Sequence, residues 1–229
     1  MIGIVIPAHN EEASIETCVA HARACASDSG LDGECVEIVV VADSCVDATA
    51  ALAALGGATV LSIQAHNVGA ARAAGAHFML TLGARWLSFT DADTLVAPDW
   101  LSQQLALNAD AVCGTVEVTD WTPHGVHAAF LARHFSQSYC DADGHRHVHG
   151  ANLGLSAAAY LRTGGFEARR CSEDVAMVAA LERIGANICW SARPRVRTSA
   201  RKVARAPGGF ADALLQAVAS QMAPAVALG

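Results

Sequence analysis

The chain has 229 residues, of which 53% are hydrophobic and 16% are charged, and its formal net charge is −7. This length corresponds to a single domain, and the negative charge argues against a nucleic-acid-binding protein, which would present a basic surface. The apolar content does not indicate a membrane protein, because no run of about 18 apolar residues is free of polar interruptions. The eight cysteines include no C-x-x-C pair and the chain opens without a signal-peptide pattern, which together predict a cytoplasmic protein with reduced thiols.

The first ninety or so residues alternate between short apolar runs and alanine-rich helical patterns. The apolar runs predict strands near residues 2–6, 37–42, 59–64 and 86–90. The segments between them predict helices near 13–26 and 48–56 and a third that ends near residue 82. Apolar strands that alternate with helices indicate an α/β fold, with a mostly parallel sheet covered by helices on both faces.

The pattern is looser after residue 93. Strands are predicted near 111–118 and 188–192, and helices from about 98 and near 124–140, 174–185 and 210–222. A polar segment precedes the 174–185 helix, and an arginine-rich stretch precedes the last one. Neither an internal repeat nor a Gly/Ser-rich linker interrupts the chain, so we expect one domain over 1–229.

Acidic or amide side chains follow the carboxyl ends of the first four predicted strands. They are Asn10 with Glu11, Asp43, Asn67, and Asp91 with Asp93. Each alone has a simple interpretation as a helix cap or a turn residue. In open α/β sheets, however, the carboxyl ends of the strands face one ligand-binding crevice. Their joint occurrence therefore predicts a binding site at that edge of the sheet.

A series of short motifs contains these side chains. In chain order they are IVIPAHNEE (4–12), ADSCVDAT (42–49), NVGAARAAG (67–75), TDADT (90–94), HGANLG (149–154), GGF (164–166) and ED (173–174). The series resembles the motifs of the family 2 glycosyltransferases over about residues 3–210. Two positions depart from the family pattern, because Ala42 replaces an acid and Cys45 replaces the usual serine.

The resemblance implies a Rossmann-like GT-A fold. It also implies an inverting, metal-dependent transfer of a sugar from a nucleotide-diphosphate donor to a hydroxyl acceptor, with a UDP-sugar as the leading donor. The donor half would be about 1–118 and the acceptor half about 119–210, followed by a C-terminal helix and tail at about 211–229. Neither nucleic acid nor a transmembrane segment is expected.

The resemblance assigns roles to individual residues. The donor would be bound by Pro7, Ala8, Glu11, Asp43, Asn67, Arg72 and Asp91. Asp93 would be a ligand of Mn²⁺ or Mg²⁺, ions that prefer hard carboxylate oxygens, and the ion would neutralise the departing diphosphate. Asp174 would be the general base that takes the proton of the acceptor hydroxyl. The acceptor or phosphate side would include Gly150, Asn152, Glu173 and Arg201.

Two further expectations concern metal binding. Relatives often supply a third metal ligand, frequently histidine, after the Glu-Asp motif, but no histidine follows His149 in this chain. Ser199, Arg201 or water is left for that role. The alternation of His145, His147 and His149 would place three imidazoles on one face of an extended segment, which suits zinc. A polar loop over the acceptor site explains the same pattern.

Two other functions stay open at this point. The TDADT motif also fits a haloacid-dehalogenase-like phosphatase, with Asp91 as nucleophile and Asp93 as general acid/base. Against this, three strand–helix units precede the motif, and the phosphate-binding lysine would have to be Lys202, the only lysine in the chain. The second alternative is a catalytically inactive nucleotide-binding scaffold of the same fold.

Overall fold

The computed structural model describes residues 1–169, 171–202 and 210–222. Its strands are β1 (Ile2–Ala8), β2 (Val36–Asp43), β3 (Thr59–Ile63), β4 (Trp86–Phe89), β5 (Thr94–Val96), β6 (Ala111–Glu117), β7 (Leu153–Ser156) and β8 (Ile188–Thr198). Its α-helices are α1 (Ile15–Ala26), α2 (Thr49–Leu55), α3 (Val68–Thr81), α4 (Trp100–Leu105), α5 (Ala128–Ser138), α6 (Ala157–Thr163), α7 (Glu173–Arg183) and α8 (Phe210–Met222).

The strands form one mixed sheet in the order β3-β2-β1-β4-β7-β6-β8-β5. Four neighbouring pairs are parallel, namely β3–β2, β2–β1, β1–β4 and β6–β8. The other three pairs, β4–β7, β7–β6 and β8–β5, are antiparallel. The chain first adds strands on one side of β1 and then returns to add β4 on the other side. The point where the order reverses is where open α/β sheets bind ligands.

Strand alternation divides the core between the two faces of the sheet. In β1, Ile2, Ile4 and Ile6 pack toward α1, α2 and α4, whereas Val5 packs toward α3, α6 and α7. Successive side chains of a strand point to opposite faces, so a strand that is apolar at every position must be covered on both sides. The predicted α/β fold with helices on both faces is confirmed.

Three elements escaped the sequence prediction, namely β5, β7 and α6. Each is short, from three to seven residues, and the antiparallel position of β7 between β4 and β6 depends on pairing partners distant in the chain. The predicted 124–140 helix is also shorter. It begins at Ala128, and Gly125, with φ 55° and ψ −123°, interrupts the 3₁₀ segment Thr122–His127 that precedes α5.

The first part of the arginine-rich stretch forms the second half of β8, which continues six residues beyond the predicted 188–192 strand. Arg193, Arg195 and Arg197 are exposed, while Pro194 and Val196 between them are buried. This alternation is the period of a half-buried strand. Arg205, from the same basic stretch, lies outside the described residues. No helix in the described part of the chain is long and apolar enough to cross a membrane.

Candidate active site

The candidate site lies at the carboxyl ends of β1, β2 and β4. These strands are parallel, with Ala8 beside Ala42 and Val5 beside Phe89, so the loops after them leave the sheet along one edge. Pro7 and Ala8 are buried within the last residues of β1. The Ala8 carbonyl accepts a hydrogen bond from the Cys45 thiol at 3.4 Å. Both residues are thus buried at the carboxyl end of β1.

The Asp43 carboxylate holds the loop between β3 and α3. It accepts backbone hydrogen bonds from Ala65 at 2.7 Å, His66 at 2.9 Å and Asn67 at 2.7 Å, and another from the Ser44 hydroxyl at 2.9 Å. Burial alone would raise the pKa of Asp43, but these donors outweigh it and hold the pKa below its usual value. Asp43 therefore stays ionised and fixes the loop that leads into α3.

Asn67 joins two parts of the chain that are a hundred residues apart. Its side-chain oxygen accepts from the Ala70 amide and caps α3, and its Nδ2 donates to the Arg169 carbonyl at 2.9 Å. The backbones approach so closely here that a Cβ at Gly69 would lie 2.2 Å from the Glu167 carbonyl oxygen. Asn67 thus attaches the loop before α7 to the start of α3.

Arg72 is the centre of the site, although it is only 2% exposed. Its Nη2 donates to Asp91 Oδ1 at 2.7 Å, its Nε to Glu173 Oε1 at 3.1 Å, and its Nη1 to the Gly150 carbonyl at 2.9 Å. Burial by itself lowers the pKa of Arg72, but the charges of Asp91, Glu173 and Asp174 outweigh that effect and raise it. One permanently charged guanidinium therefore binds three separate chain segments together.

Gly150 is shaped to fit against this arginine. A Cβ atom at position 150 would lie 2.3 Å from Arg72 Nη2 and 2.7 Å from its Cζ. The guanidinium has little room to move, because three hydrogen bonds hold it. The Gly150 amide on the other side donates to Asp174 Oδ2 at 2.8 Å. Only a residue without a side chain allows the backbone to contact both groups at this separation.

Asp174 lies at the start of α7, next to the buried Glu173. Its Oδ1 accepts from the Val175 amide at 2.8 Å, and its Oδ2 accepts from Gly150. The side chain is half-buried, whereas that of Glu173 is almost fully buried against Arg72. The two neighbouring acids thus differ in environment. Glu173 neutralises Arg72, and Asp174 is held at the edge of the site by two backbone amides.

Asp93 and Glu11 are joined by the guanidinium of Arg201. Arg201 Nη2 contacts Asp93 Oδ2, and its Nη1 contacts Glu11 Oε1, both at 2.5 Å. Burial raises the pKa of Asp93 to about 6, and the Arg201 charge opposes this shift, while the charges of Asp91 and Glu11 add to it. The residue predicted as the metal ligand therefore already contacts a positive charge.

The side chain of Asn152 is hydrogen-bonded within the protein core. It is fully buried between strands and α4, accepts from Trp100 Nε1 at 2.8 Å, and donates to the carbonyls of Thr115 and Pro194 at 2.7 and 3.0 Å. A Cβ at Gly114 would overlap its amide. Both polar atoms of its side chain thus bind the protein, and the acceptor-side role expected for Asn152 stays a prediction.

The histidine segment forms an aromatic stack instead of a metal cluster. Tyr139 stacks on His147 with ring centres 4.1 Å apart, and His147 lies between His145 and His149 at 5.6 and 6.0 Å. The Tyr139 hydroxyl accepts from the Val116 amide at 2.8 Å and lies 2.9 Å from His149 Nε2. No three histidine, cysteine or acidic side chains in the described ranges are grouped to bind a metal. Sequence motifs gave no signal for Tyr139.

The buried position of His149 predicts a pH effect on stability. Burial, together with the charges of the nearby His147 and His145, lowers its pKa to about 4. The unfolded chain binds this proton near the ordinary histidine pKa of 6.5, so the stability that neutral His149 contributes is lost as the pH falls from there toward 4. We expect His149→Gln, which keeps an acceptor for Tyr139, to lose less stability over this interval in urea unfolding. Parallel curves for the two proteins would contradict the assignment.

Comparison with known proteins identifies the family. The model of glycosyl transferase family 2 matches residues 3–161, which include the carboxyl ends of β1, β2 and β4 and the Arg72 network up to Gly150. The chain belongs to glycosyl transferase family 2. The three strand–helix units before Asp91 are thus part of the family domain, which removes the phosphatase alternative. No curated protein is significantly similar to the chain in sequence.

Solved glycosyltransferase structures share the GT-A fold. TarS of S. aureus, in complex with UDP-GlcNAc, has a TM-score of 0.66 at 12% identity, over 96% of this chain and 66% of that one. A Pyrobaculum calidifontis mannosyltransferase, in complex with GDP-Man and Mn²⁺, has a TM-score of 0.63 at 18% identity, over 88% of this chain and 57% of that one. Glucosyl-3-phosphoglycerate synthase of Mycobacterium tuberculosis, in complex with Mn²⁺, UDP and phosphoglyceric acid, has a TM-score of 0.60 at 19% identity, over 88% of this chain and 71% of that one. Against another TarS structure, the chain spans only 36% of its length.

Proposed function

We propose that the chain is a metal-dependent, inverting glycosyltransferase that moves a sugar from a nucleotide-diphosphate donor to a hydroxyl acceptor. The observation that supports this best is the Arg72 network, which holds Asp91 of the T-D-A-D-T motif and the Glu173–Asp174 pair around one buried guanidinium. Family membership supplies the reaction class. The structures of relatives with UDP-GlcNAc, GDP-Man and UDP support a nucleotide donor.

The donor would lie along the carboxyl ends of β1, β2 and β4. Its nucleoside would rest on the Pro7–Ala8 end of β1, between the 9–12 loop and the loop that Asp43 and Asn67 hold. Asp43 and Asn67 would act on the donor by shaping this loop, since their own side chains bind backbone groups. Arg72 would likewise act by positioning Asp91, whose side chain is 36% exposed. A UDP-sugar is our leading candidate.

Asp93 is suited to a divalent ion that the donor also binds. It is a mostly buried carboxylate that already attracts a cation, and its neighbour Asp91 offers further carboxylate oxygen. Mg²⁺ commonly binds one or two carboxylates and takes its other ligands from substrate phosphates and water. A bound Mn²⁺ or Mg²⁺ would neutralise charge on the departing diphosphate. Mn²⁺ in two relatives supports this choice.

Asp174 would take the proton from the acceptor hydroxyl as that oxygen attacks the anomeric carbon. The amides of Gly150 and Val175 hold its two oxygens in place. Attack from the side opposite the leaving diphosphate inverts the anomeric centre and needs no covalent intermediate. Gly150 and Glu173 contribute here through Arg72 and Asp174. We expect the enzyme to act in the cytoplasm.

A thermal-shift panel of UDP-, GDP- and dTDP-sugars, with and without Mn²⁺, tests the proposal. With Mn²⁺ and the matching donor we expect Tm to rise by about 5 °C at ligand concentrations near a hundred times Kd, because ligands that bind only the folded state stabilise it. Asp93→Asn should lose the metal-dependent part of this rise. Asp32→Asn, an exposed acid in a distant turn, is the matched control.

Three outcomes would contradict the proposal in whole or in part. If no nucleotide diphosphate stabilised the wild-type protein at millimolar concentration, the donor site would be misassigned. If a donor bound with metal but was neither hydrolysed nor transferred to any acceptor, the inactive scaffold would be the better description. Equal metal-dependent shifts in the wild type and Asp93→Asn would remove Asp93 as the metal ligand.

A further inference from the structure

The position of Arg201 is set by the segment that follows β8. Ala200 is buried in a small core with Val118, Leu131 and Leu214, so the backbone beside Arg201 is anchored to the acceptor half. From there its side chain extends to Glu11 and Asp93 in the donor half. The preceding arginines make different contacts, since Arg193 binds Gln103 and Arg195 binds Asp141.

The guanidinium of Arg201 lies between two carboxylates that are largely removed from water. The Asp93 and Glu11 side chains are 12% and 9% exposed, and that of Arg201 is 28% exposed. Buried carboxylates need a compensating charge. Each terminal nitrogen of the planar guanidinium donates to a different acid, an arrangement that a single ammonium group does not match.

We propose that Arg201 and a divalent cation are alternative occupants of the Asp93 carboxylate, and that Arg201 leaves Asp93 when the ion binds. This inference rests on the proposed function for the identity of the ion and its diphosphate partner. A divalent ion on Asp93 would approach the Arg201 guanidinium within a few ångströms, where two positive charges strongly repel each other.

The exchange keeps the charges balanced when metal and donor bind together. In the free protein, Arg201 pairs with both Asp93 and Glu11. After the exchange, the ion neutralises Asp93, and Arg201 is released to pair with phosphate oxygens, for which guanidinium is a good bidentate partner. A nucleotide diphosphate would then raise metal affinity and the metal would raise nucleotide affinity by the same factor. Free metal, in contrast, would have to displace Arg201 without compensation.

The experiment measures Mn²⁺ binding by electron paramagnetic resonance in the absence of nucleotide. We expect Arg201→Gln to bind Mn²⁺ about tenfold more tightly than the wild type, because a competing cation has been removed from a partly buried carboxylate. Arg193→Gln removes the same charge from the same region without touching Asp93 and should change the affinity little. Adding Asp93→Asn to Arg201→Gln should abolish the gain.

Equal or weaker Mn²⁺ binding by folded Arg201→Gln would overturn the inference, as would a gain of the same size in Arg193→Gln. Thermal unfolding establishes that each variant is folded. If Arg201→Gln is too unstable to measure, Arg201→Lys takes its place. It keeps the charge but loses the fork that joins both acids, so its Mn²⁺ affinity should lie between that of the wild type and that expected for Arg201→Gln. No gain in that variant would then overturn the inference.

A second arm adds UDP and GDP and separates this inference from the proposed function. Nucleotide binding that needs Arg201 but proceeds equally well with EDTA would mean that the arginine replaces the ion, which overturns the exchange. A gain in Mn²⁺ affinity in Arg201→Gln, together with no binding of either nucleotide to any protein, would support the exchange and refute the proposed donor. Unchanged Mn²⁺ affinity in Arg201→Gln, together with normal metal-dependent nucleotide binding, would refute the exchange and support the proposed donor.

Discussion

Asp174→Asn is expected to reduce kcat by about a thousandfold, within the range attributed to a general base. The asparagine side chain has nearly the same shape, but its single oxygen can accept only one of the two hydrogen bonds that the Gly150 and Val175 amides donate to Asp174. It has no basic group to receive the acceptor proton. Donor affinity should remain close to that of the wild type, and Tm should fall by about 2–4 °C, the effect of one lost hydrogen bond of about 1 kcal/mol. Nucleotide titration, thermal unfolding and a steady-state assay of transfer measure these effects.

Glu182→Gln, an exposed acid on the same helix, is the control for the loss of one negative charge on α7. It should keep wild-type turnover. If Asp174→Asn retained more than about a tenth of the wild-type kcat, another group would have to be the base. If it lost activity only through a higher KM, Asp174 would contribute to substrate binding rather than to proton transfer.

The placement of polar residues along one edge of the sheet was largely predictable from the sequence, because local patterns determine it. Apolar runs gave the parallel strands, and the polar residues directly after them had to lie along one edge of the sheet. Asp91 and Asp93 are examples, since both follow β4 and both meet an arginine there. The same reasoning did not predict β7, because its place between β4 and β6 depends on antiparallel pairing across the sheet.

The partners of individual polar side chains could not be predicted in this way. Arg72 lies on a helix pattern that suits a solvated or ligand-binding arginine equally well, and only the folded chain brings Glu173 and Gly150 to it. Asn152 stands in a glycine-rich motif typical of ligand contacts, yet its amide binds Trp100, Thr115 and Pro194. A contact between positions a hundred residues apart leaves no local trace in one sequence.

Removing the charge of Arg72 is expected to lower the free energy of unfolding by about 3–5 kcal/mol, because breaking a buried ion pair leaves its partner uncompensated. In Arg72→Met the apolar stem is kept, while Glu173 loses its buried counter-charge and the Gly150 carbonyl and Asp91 each lose a donor. Urea unfolding measures the effect. Arg133→Met, at an exposed position of α5, should change stability by less than about 0.5 kcal/mol.

A double variant tests whether the loss comes from the stranded carboxylate. In Arg72→Met with Glu173→Gln, the buried acid is replaced by a neutral amide, so the combined loss should be smaller than the sum of the two single losses. Strict additivity would mean that the two side chains act independently, against the 3.1 Å contact between them. Because the same arginine holds Asp91 and, through Gly150, Asp174, Arg72→Met should also lose transfer activity under conditions in which it remains folded. Full activity in the folded variant would mean that the Arg72 network stabilises the fold but is not needed for catalysis. The sheet and α7 alone would then position Asp91 and Asp174.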